Sequence, residues 1–535
     1  MLFRSAVRNR WTGELYLAWH RGTYSVQRRQ KAAMRRAEEA LRETEALTAR
    51  LSPKDRVPLR HPIREAWRTL LLNQFHDIAG GVGIARVHQE ATEALVRLTE
   101  SLETLNGRLR QMAYPIQPGP GLVLVNPLNW DRSGWVALPD GREIYAEVPA
   151  GGAVNAEQAE RPLSPEEGVT ASEEEDGIHL KNDRLEAVAD RQGRIVSLRL
   201  RGADGTEEFL CPGQVMNDWR LYRNIQTVYD AWELDRDWPE ERLEGAVQAE
   251  ARLTLNTPAC AEITVALRFG RSTARQRIRL RAREEQLTFE TEVNWQERRK
   301  MLKVHFESNL ICEDAVHEIQ FGFVRRPCHR SHPFARDRYE VSNHRYSALC
   351  ETGRGFALLN DGLYGLSTGR GEMALTLLRA PLVPDDGCDR GEHRFTYALR
   401  PFDVPFCEAE LARAGYELNQ PVRAAEGQCV RQEGFTCESR GILTETVKPA
   451  ENGEGTILRL YESLGTAERG VLKLPFEAVV RTASLEEKDG ETMGTGREFP
   501  VSFRPFEIQT LRVIPVRPER KNRPGKRKRR KWLKR

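Results

Sequence analysis

The 535 residues exceed what a single hydrophobic core organises, about 250 to 300, so at least two domains are expected. A composition of 39% hydrophobic and 30% charged residues, with no apolar run near the ~18 residues of a membrane span, excludes a predicted membrane helix. The formal charge of +4 is uneven: residues 517–535 hold twelve Lys or Arg against Glu519 alone, which leaves the rest of the chain acidic.

In chain order, the opening "MLFRSAVRNRWTGELYLAWH" is basic but has no apolar h-region followed by a small-residue cleavage site, so no secretory leader is expected and the cytoplasm is the default location. From Gln27 to Leu51, Met34, Ala37, Leu41, Leu47 and Leu51 fall near helical spacing amid Arg and Glu, which predicts an amphipathic surface helix. "SPKDRVPLRHP" breaks it. Pro62 suits a first helical position, and Ile63, Trp67, Leu70 and Leu71 form the stripe of a second helix running toward "NQFHDI". After the glycines, Val87, Ala91, Leu95, Leu98, Leu102, Leu105, Leu109 and Met112 predict a third, long helix, and the three form an antiparallel bundle.

At "YPIQPGPGLVLVNPLNW" the period changes to alternation. Beyond it, runs such as "AEITVALRFG", "RQRIRLRAREEQLTFETEVNW" and "GFALLNDGLYGLS", separated by Gly, Asn and Asp turns, predict large all-β sandwich domains. The acidic stretch 154–177 reads as a long exposed loop, and the polar stretch near Ala483 as a turn region. Nine cysteines without a C-x-x-C pair read as reduced, structural thiols. The C-terminal "RPERKNRPGKRKRRKWLKR" has only Trp532 as an aromatic; like charges repel and build no core, so a solvated, disordered tail is expected and not a specific nucleic-acid site. The division is therefore 1–25, 26–113 (helical bundle), 114–515 (β sandwiches) and 516–535 (tail): a multidomain α + β chain.

Chemistry concentrates at His76 and Asp77, beside Gly80, Gly81 and Gly83, which permit a sharp stop. An imidazole binds a cation such as zinc through nitrogen, and a carboxylate binds metal or accepts sugar hydroxyl protons. One or two ligands do not make a zinc site, and a satisfied core imidazole is the open alternative. Upstream, Trp19, His20, Arg21, Thr23 and Tyr24 crowd around Gly22, a mixture of aromatic faces and polar tips that suits a sugar ring or a packed loop.

"WTGELYLAWHRGTYSVQRRQK", followed about fifty residues later by "AWRTLLLNQFHDIAGGVGI", resembles the barrel end and helical domain of the bacterial-type glycoside hydrolase family 38 α-mannosidases. The resemblance continues through "VNPLNW", "YDAWELD", "HRYSALCE", "LTLLRAPLVPDD" and "GEHRFTYALRPF", to beyond Phe402. It implies residues 1–25 as a remnant of the catalytic barrel, a galactose-mutarotase-like supersandwich, and retaining hydrolysis of α-mannosides with one Zn2+ ion, by a carboxyl pair about 5 Å apart. His76 matches the family's zinc-binding histidine and Asp77 its mannose-holding neighbour. His20 falls in a substrate-lining segment; Asp230 with Trp232, and Asp361 with Tyr364, are candidates for loops approaching the sugar. The family's His-x-His-x-Asp-like motif, nucleophilic aspartate and acid catalyst have no counterpart here, and "AGGVGI" replaces a Pro-Gly-Ser-like version. No catalytic residue is therefore assigned in this chain, and His76 is the one zinc ligand. The expected partners are α-mannoside oligosaccharides and a separate barrel chain or a homo-oligomer, with no membrane. The alternative is a non-catalytic carbohydrate-binding or structural module.

Overall fold

The computed structural model describes residues 10, 12–14, 19–202, 205–226 and 228–516. Trp11, most of the expected barrel remnant before Trp19 and the basic tail from Arg517 lie outside the described residues.

Eight helices are described: α1 (Arg28–Arg50), α2 (Pro53–Arg56), α3 (Arg60–Asn73), α4 (His76–Ala79), α5 (Ala85–Ala113), α6 (Ala156–Ala159), α7 (Pro333–Arg336) and α8 (Leu411–Asn419). The bundle of α1, α3 and α5 closes on Ala37, Leu41, Ile63, Leu70, Leu95 and Leu102, the periodic positions of the three sequence stripes. Three details differ from expectation. Helix α1 is not a surface helix, because Arg28, Lys31, Arg35, Glu39 and Glu43 are as buried as its alanines. Pro62 is the third residue of α3, and Leu71 and Met112 lie in solvent. Helix α3 also stops at Asn73, so His76 starts a separate turn rather than ending a long helix.

The polar side of α1 is buried because β domains dock on it and supply opposite charges. Arg42 pairs with Glu445 at 2.8 Å, Glu39 with Arg345 at 3.4 Å, and Arg28 with Asp361 at 3.0 Å. From within the bundle, Arg110 of α5 pairs with Glu43 at 2.8 Å.

A ten-stranded and a nine-stranded antiparallel sheet form a supersandwich. Alternation along each strand sends one set of side chains into a shared core that includes Leu221, Val304, Leu375, Phe289, Trp295 and Leu399. The connection "NDGLY" crosses between the layers: Gly355–Asn360 belongs to the nine-stranded sheet and Gly365–Gly369 to the ten-stranded one. The strand Gln117–Val125 pairs with Ala153–Asn155 and with Arg423–Gln428, so the supersandwich is inserted between strands of a small three-stranded sheet. A separate six-stranded sheet follows, with a core of Leu458, Leu472, Val480, Leu511 and Val513 that also takes in Ala49 of α1.

The acidic stretch expected as a loop holds the strand Ala153–Asn155, helix α6 and the strand Thr170–Glu173, because its scattered apolar residues reach neighbouring strands. Around Ala483 the turn is confined to residues 484–488; the flanking strands Glu468–Ala483 and Asp489–Phe503 pair as a long hairpin.

Candidate functional site

The His76 turn is built by backbone capture. Asn73 closes α3 by donating from Nδ2 to the Thr69 carbonyl at 2.8 Å. The chain restarts at Phe75, whose carbonyl accepts from Ile78 and Ala79 N–H. Gln30 and Lys31 of α1 then donate to the carbonyls of Ile78 (2.6 Å) and Ala79 (2.8 Å). His88 of α5 accepts from Gly83 N–H at 2.9 Å through Nε2, while its Nδ1 lies 2.7 Å from Gln30 Oε1. Gly81 has φ +78°, and a Cβ there would meet Val26 Cγ2 at 2.8 Å, so this turn needs a glycine for conformation and for space. Lys31, stripped of water by burial, has its pKa lowered to about 8.

The result is a fixed backbone that displays exposed side chains. His76 Nε2 lies 3.4 Å from Asp77 Oδ1, and both side chains are mostly in solvent. His76 faces a cavity of about 530 Å³ at the seam between the bundle and the supersandwich, with Arg35, Gln74, Gln320, His344 and Tyr364 among its lining. Arg35 donates to Tyr364 Oη from Nε (3.2 Å) and Nη2 (3.1 Å), which fixes the phenol. Burial, with Arg35 and Arg345 nearby, lowers His344 to about 3, so it lines the cavity as a neutral imidazole. Burial, together with Glu39, raises the pKa of Glu38 on the same wall. Donors and acceptors held at fixed positions, beside an aromatic ring, suit hydroxyl-rich ligands.

Of the residues singled out in the sequence, the fold brings Thr23, Tyr24, His76 and Tyr364 to this cavity. Asp77 stands beside His76 without lining it. His20 is exposed in the left-handed conformation, φ 66°, and its N–H donates to the Glu233 carboxylate at 3.0 Å. The adjoining Gly22 docks on the 229–233 loop: its N–H reaches the Trp232 carbonyl at 2.8 Å, and a Cβ would meet the Glu233 carbonyl at 2.5 Å. Asp230 is buried and spends Oδ2 on the Leu382 N–H at 2.6 Å, so it shapes that loop instead of facing a ligand. Asp361 is committed to Arg28 (3.0 Å) and the Thr396 N–H (2.9 Å); burial raises its pKa. Arg35, Gln320 and His344 escaped the sequence reading, since nothing in their spacing ties a mid-helix arginine to two residues some three hundred positions away.

Zinc fits this chain only in part. His76 and Asp77 offer an imidazole and a carboxylate, and they belong to no group of three close metal-type donors among the described residues. The group that does meet that description is elsewhere: Glu174, Asp176 and His179 lie within 4.8 Å of one another on the hairpin at the edge of the ten-stranded sheet.

An antiparallel supersandwich docked on a helical bundle, with a polar cavity at the seam, defines a multidomain protein whose site is shared between modules. Three family models match it: "Alpha mannosidase middle domain" over residues 18–112, "Glycosyl hydrolases family 38 C-terminal domain" over 180–387, and "Glycosyl hydrolases family 38 C-terminal beta sandwich domain" over 441–511. The chain belongs to glycosyl hydrolase family 38, as the portion carrying its middle and C-terminal domains. It is 32% identical to the Homo sapiens protein named Alpha-mannosidase 2C1, over 94% of this chain and 50% of that protein. It is 28% identical to Alpha-mannosidase G of Dictyostelium discoideum, over 95% of this chain and 53% of that protein. The chain thus spans about half the length of these curated relatives. The crystal structure of an alpha-mannosidase from Enterococcus faecalis V583 shares the fold, with a TM-score of 0.75 at 16% identity, covering 92% of this chain and 68% of that one.

Proposed function

We propose that this chain is the middle and C-terminal part of a zinc-dependent, retaining α-mannoside hydrolase, with the nucleophile and acid catalyst on an α/β barrel outside these residues. The observation that carries this reading is the display of His76: a rigidly tied turn holds a metal-type donor in solvent beside a cavity large enough for a sugar ring. On the chain flanking it, Leu71, Leu72, Phe75 and Ile84 are all half-exposed or more. Exposed apolar groups gathered about a polar site mark a surface that another protein covers.

Zinc would supply a charge that polarises and orients sugar hydroxyls. His76 would be this chain's ligand, with Asp77 next to it for the mannose hydroxyls. Tyr364, aligned by Arg35, would hold the sugar or its leaving portion from the seam. His20, Asp230 and Asp361 act at a distance in this reading, by setting the loops around that seam. Nine unpaired cysteines accord with a reducing, cytoplasmic setting.

The test is reconstitution. The purified chain is mixed with a family barrel chain; complex formation, zinc content and hydrolysis of an aryl α-mannoside are measured. The chain alone should be inactive, and the mixture should hold one zinc ion and turn over substrate. His76→Ala should abolish both without dissociating the complex. Full zinc retention and activity in His76→Ala would overturn the assignment, and a mixture that forms no complex would overturn the shared-site reading.

A further inference from the structure

The ten-stranded sheet has a second, charged face. Asp218, Arg220 and Tyr222 alternate along Met216–Arg223, and the register sets His305, Lys303 and Met301 opposite them. Ala374, Thr376 and Arg379 continue the same face on the next strand. The outer face of an antiparallel sheet is ordinarily open to water, yet Lys303 and Arg379 are fully buried. Two segments cover them. One carries Trp238, whose ring packs 4.9 Å from Tyr222 and 4.5 Å from Lys303 Nζ; the other carries α7 and Tyr339. The covers are tied together by Arg236 with Asp337 (2.6 Å) and by Tyr339 Oη donating to the Leu234 carbonyl (2.8 Å).

Between covers and sheet lies a cavity of about 790 Å³ that shares no lining residue with the His76 cavity. Its floor is a buried relay: His305 Nδ1 lies 2.6 Å from Glu372 Oε1, and its Nε2 lies 2.8 Å from Tyr222 Oη. The surrounding guanidinium groups are mostly neutralised or spent on carbonyls. Arg220 pairs with Asp218 and Glu307, both at 2.6 Å; Arg330 donates to the Thr368 carbonyl at 2.9 Å and Arg336 to the Arg330 carbonyl at 3.2 Å. Glu240, Glu244 and Glu372 also line the space, so carboxylate acceptors stand among the guanidinium donors. The Trp238 indole N–H is buried and finds no acceptor among the described residues.

We propose that this cavity is a second saccharide-binding site, taking a neutral pyranose unit. Hydroxyls both donate and accept, so they alone match a wall of fixed N–H donors interrupted by carboxylate acceptors. Three aromatic side chains in the wall and a volume within the usual range for small-ligand cavities fit a sugar ring. The inference stands on its own geometry and does not depend on how the His76 cavity is used.

Calorimetric titration of the full chain with D-mannose, D-glucose and D-galactose, and with inorganic phosphate, tests it. At least one hexose should bind saturably. The same binding should weaken about tenfold in Glu372→Gln, the loss of one hydrogen bond to a charged group, and weaken in Arg336→Ala, an exposed position chosen so that folding is not at stake. It should be unchanged in Met112→Ser, an exposed position that lines neither cavity. Hexose binding left at full strength in both Glu372→Gln and Arg336→Ala would overturn the proposal, as would binding of phosphate in place of hexose, or no saturable heat with any of the three sugars.

Discussion

Helices α1 and α3 belong to one bundle and have opposite relations to their sequences. Helix α1 is dense in Arg, Lys and Glu, and most of it is buried. Helix α3 ends in Leu70, Leu71 and Leu72, of which Leu70 is fully buried while Leu71 and Leu72 are 57% and 69% exposed. Both bury one apolar stripe in the bundle, so the stripe does not distinguish them. What distinguishes them is the second contact. Around α1, the β domains bring Glu445, Asp361 and Arg345 against its charges, and each desolvated charge finds an opposite one. Around the end of α3 no such surface exists among the described residues, and its apolar groups stay in water beside His76. Burial of a helix face is thus a property of the partner as much as of the helix.

The comparison can be broken most severely at the α1 charges. Arg345→Ala leaves Glu318 without its ion-pair partner in a desolvated place, and Glu39 with Arg42 alone, and should cost about 3 to 5 kcal/mol, measured by urea unfolding. If the loss is under about 1 kcal/mol, these pairs do not hold α1 to the β domain.

Gly22→Ala sharpens the same docking just before α1. A Cβ there would meet the Ala231 carbonyl at 2.7 Å and the Glu233 carbonyl at 2.5 Å, so displacement of the 229–233 loop should cost about 1 to 3 kcal/mol. An unchanged urea midpoint would show that the loop yields freely.

Next in size is a pH effect at the start of α1. Asp389 accepts the Arg28 N–H at 2.7 Å, and burial raises its pKa to about 6. An acid whose pKa rises on folding holds its proton longer in the native state, so the unfolded chain binds fewer protons between its own pKa, near 3.9, and 6. Stability should therefore fall as pH rises through that window, by on the order of 1 to 2 kcal/mol. Asp389→Asn keeps an acceptor and should flatten that part of the profile; a wild-type profile already flat from pH 4 to 6 would contradict the argument. Lys31, lowered to about 8, acts in the other sense: the unfolded chain binds more protons above 8, and stability gains from about pH 8 upward.

The smallest effect on stability belongs to α3. Leu72→Ser should change the unfolding free energy of the isolated chain by no more than about 0.5 kcal/mol, yet it should weaken binding to a barrel chain in a pull-down titration. A large stability loss would mean the side chain is covered within this chain after all.

Much of the site was legible locally. "NQFHDIAGGVGI" announced a break, but α3 stops at Asn73, ahead of the glycines, and Gly81, with φ +78° under Val26, shapes the end of the separate His76 turn. Tyr364 was legible only as part of a turn; that the turn crosses between sheets and brings the phenol to Arg35 depends on strand pairings far apart in sequence. Asp230 and Asp361 show the reverse failure. An acid in a turn can face a ligand or hold the loop, and composition does not say which; the part-buried N–H groups of Leu382 and Thr396 decided it by needing acceptors.

By itself, the sequence determined three helices, the change to alternating strands after Tyr114, the glycine-dependent turn at His76 and the family resemblance, because each depends on residues within a few positions of one another. The tertiary structure alone decided that α1 is interior, that the strands sort into two facing sheets with a return strand at Arg423–Gln428, and that the charged face of one sheet is roofed over a second cavity. Those outcomes rest on charge pairing and desolvation between segments hundreds of residues apart, and no local period records which segments will meet.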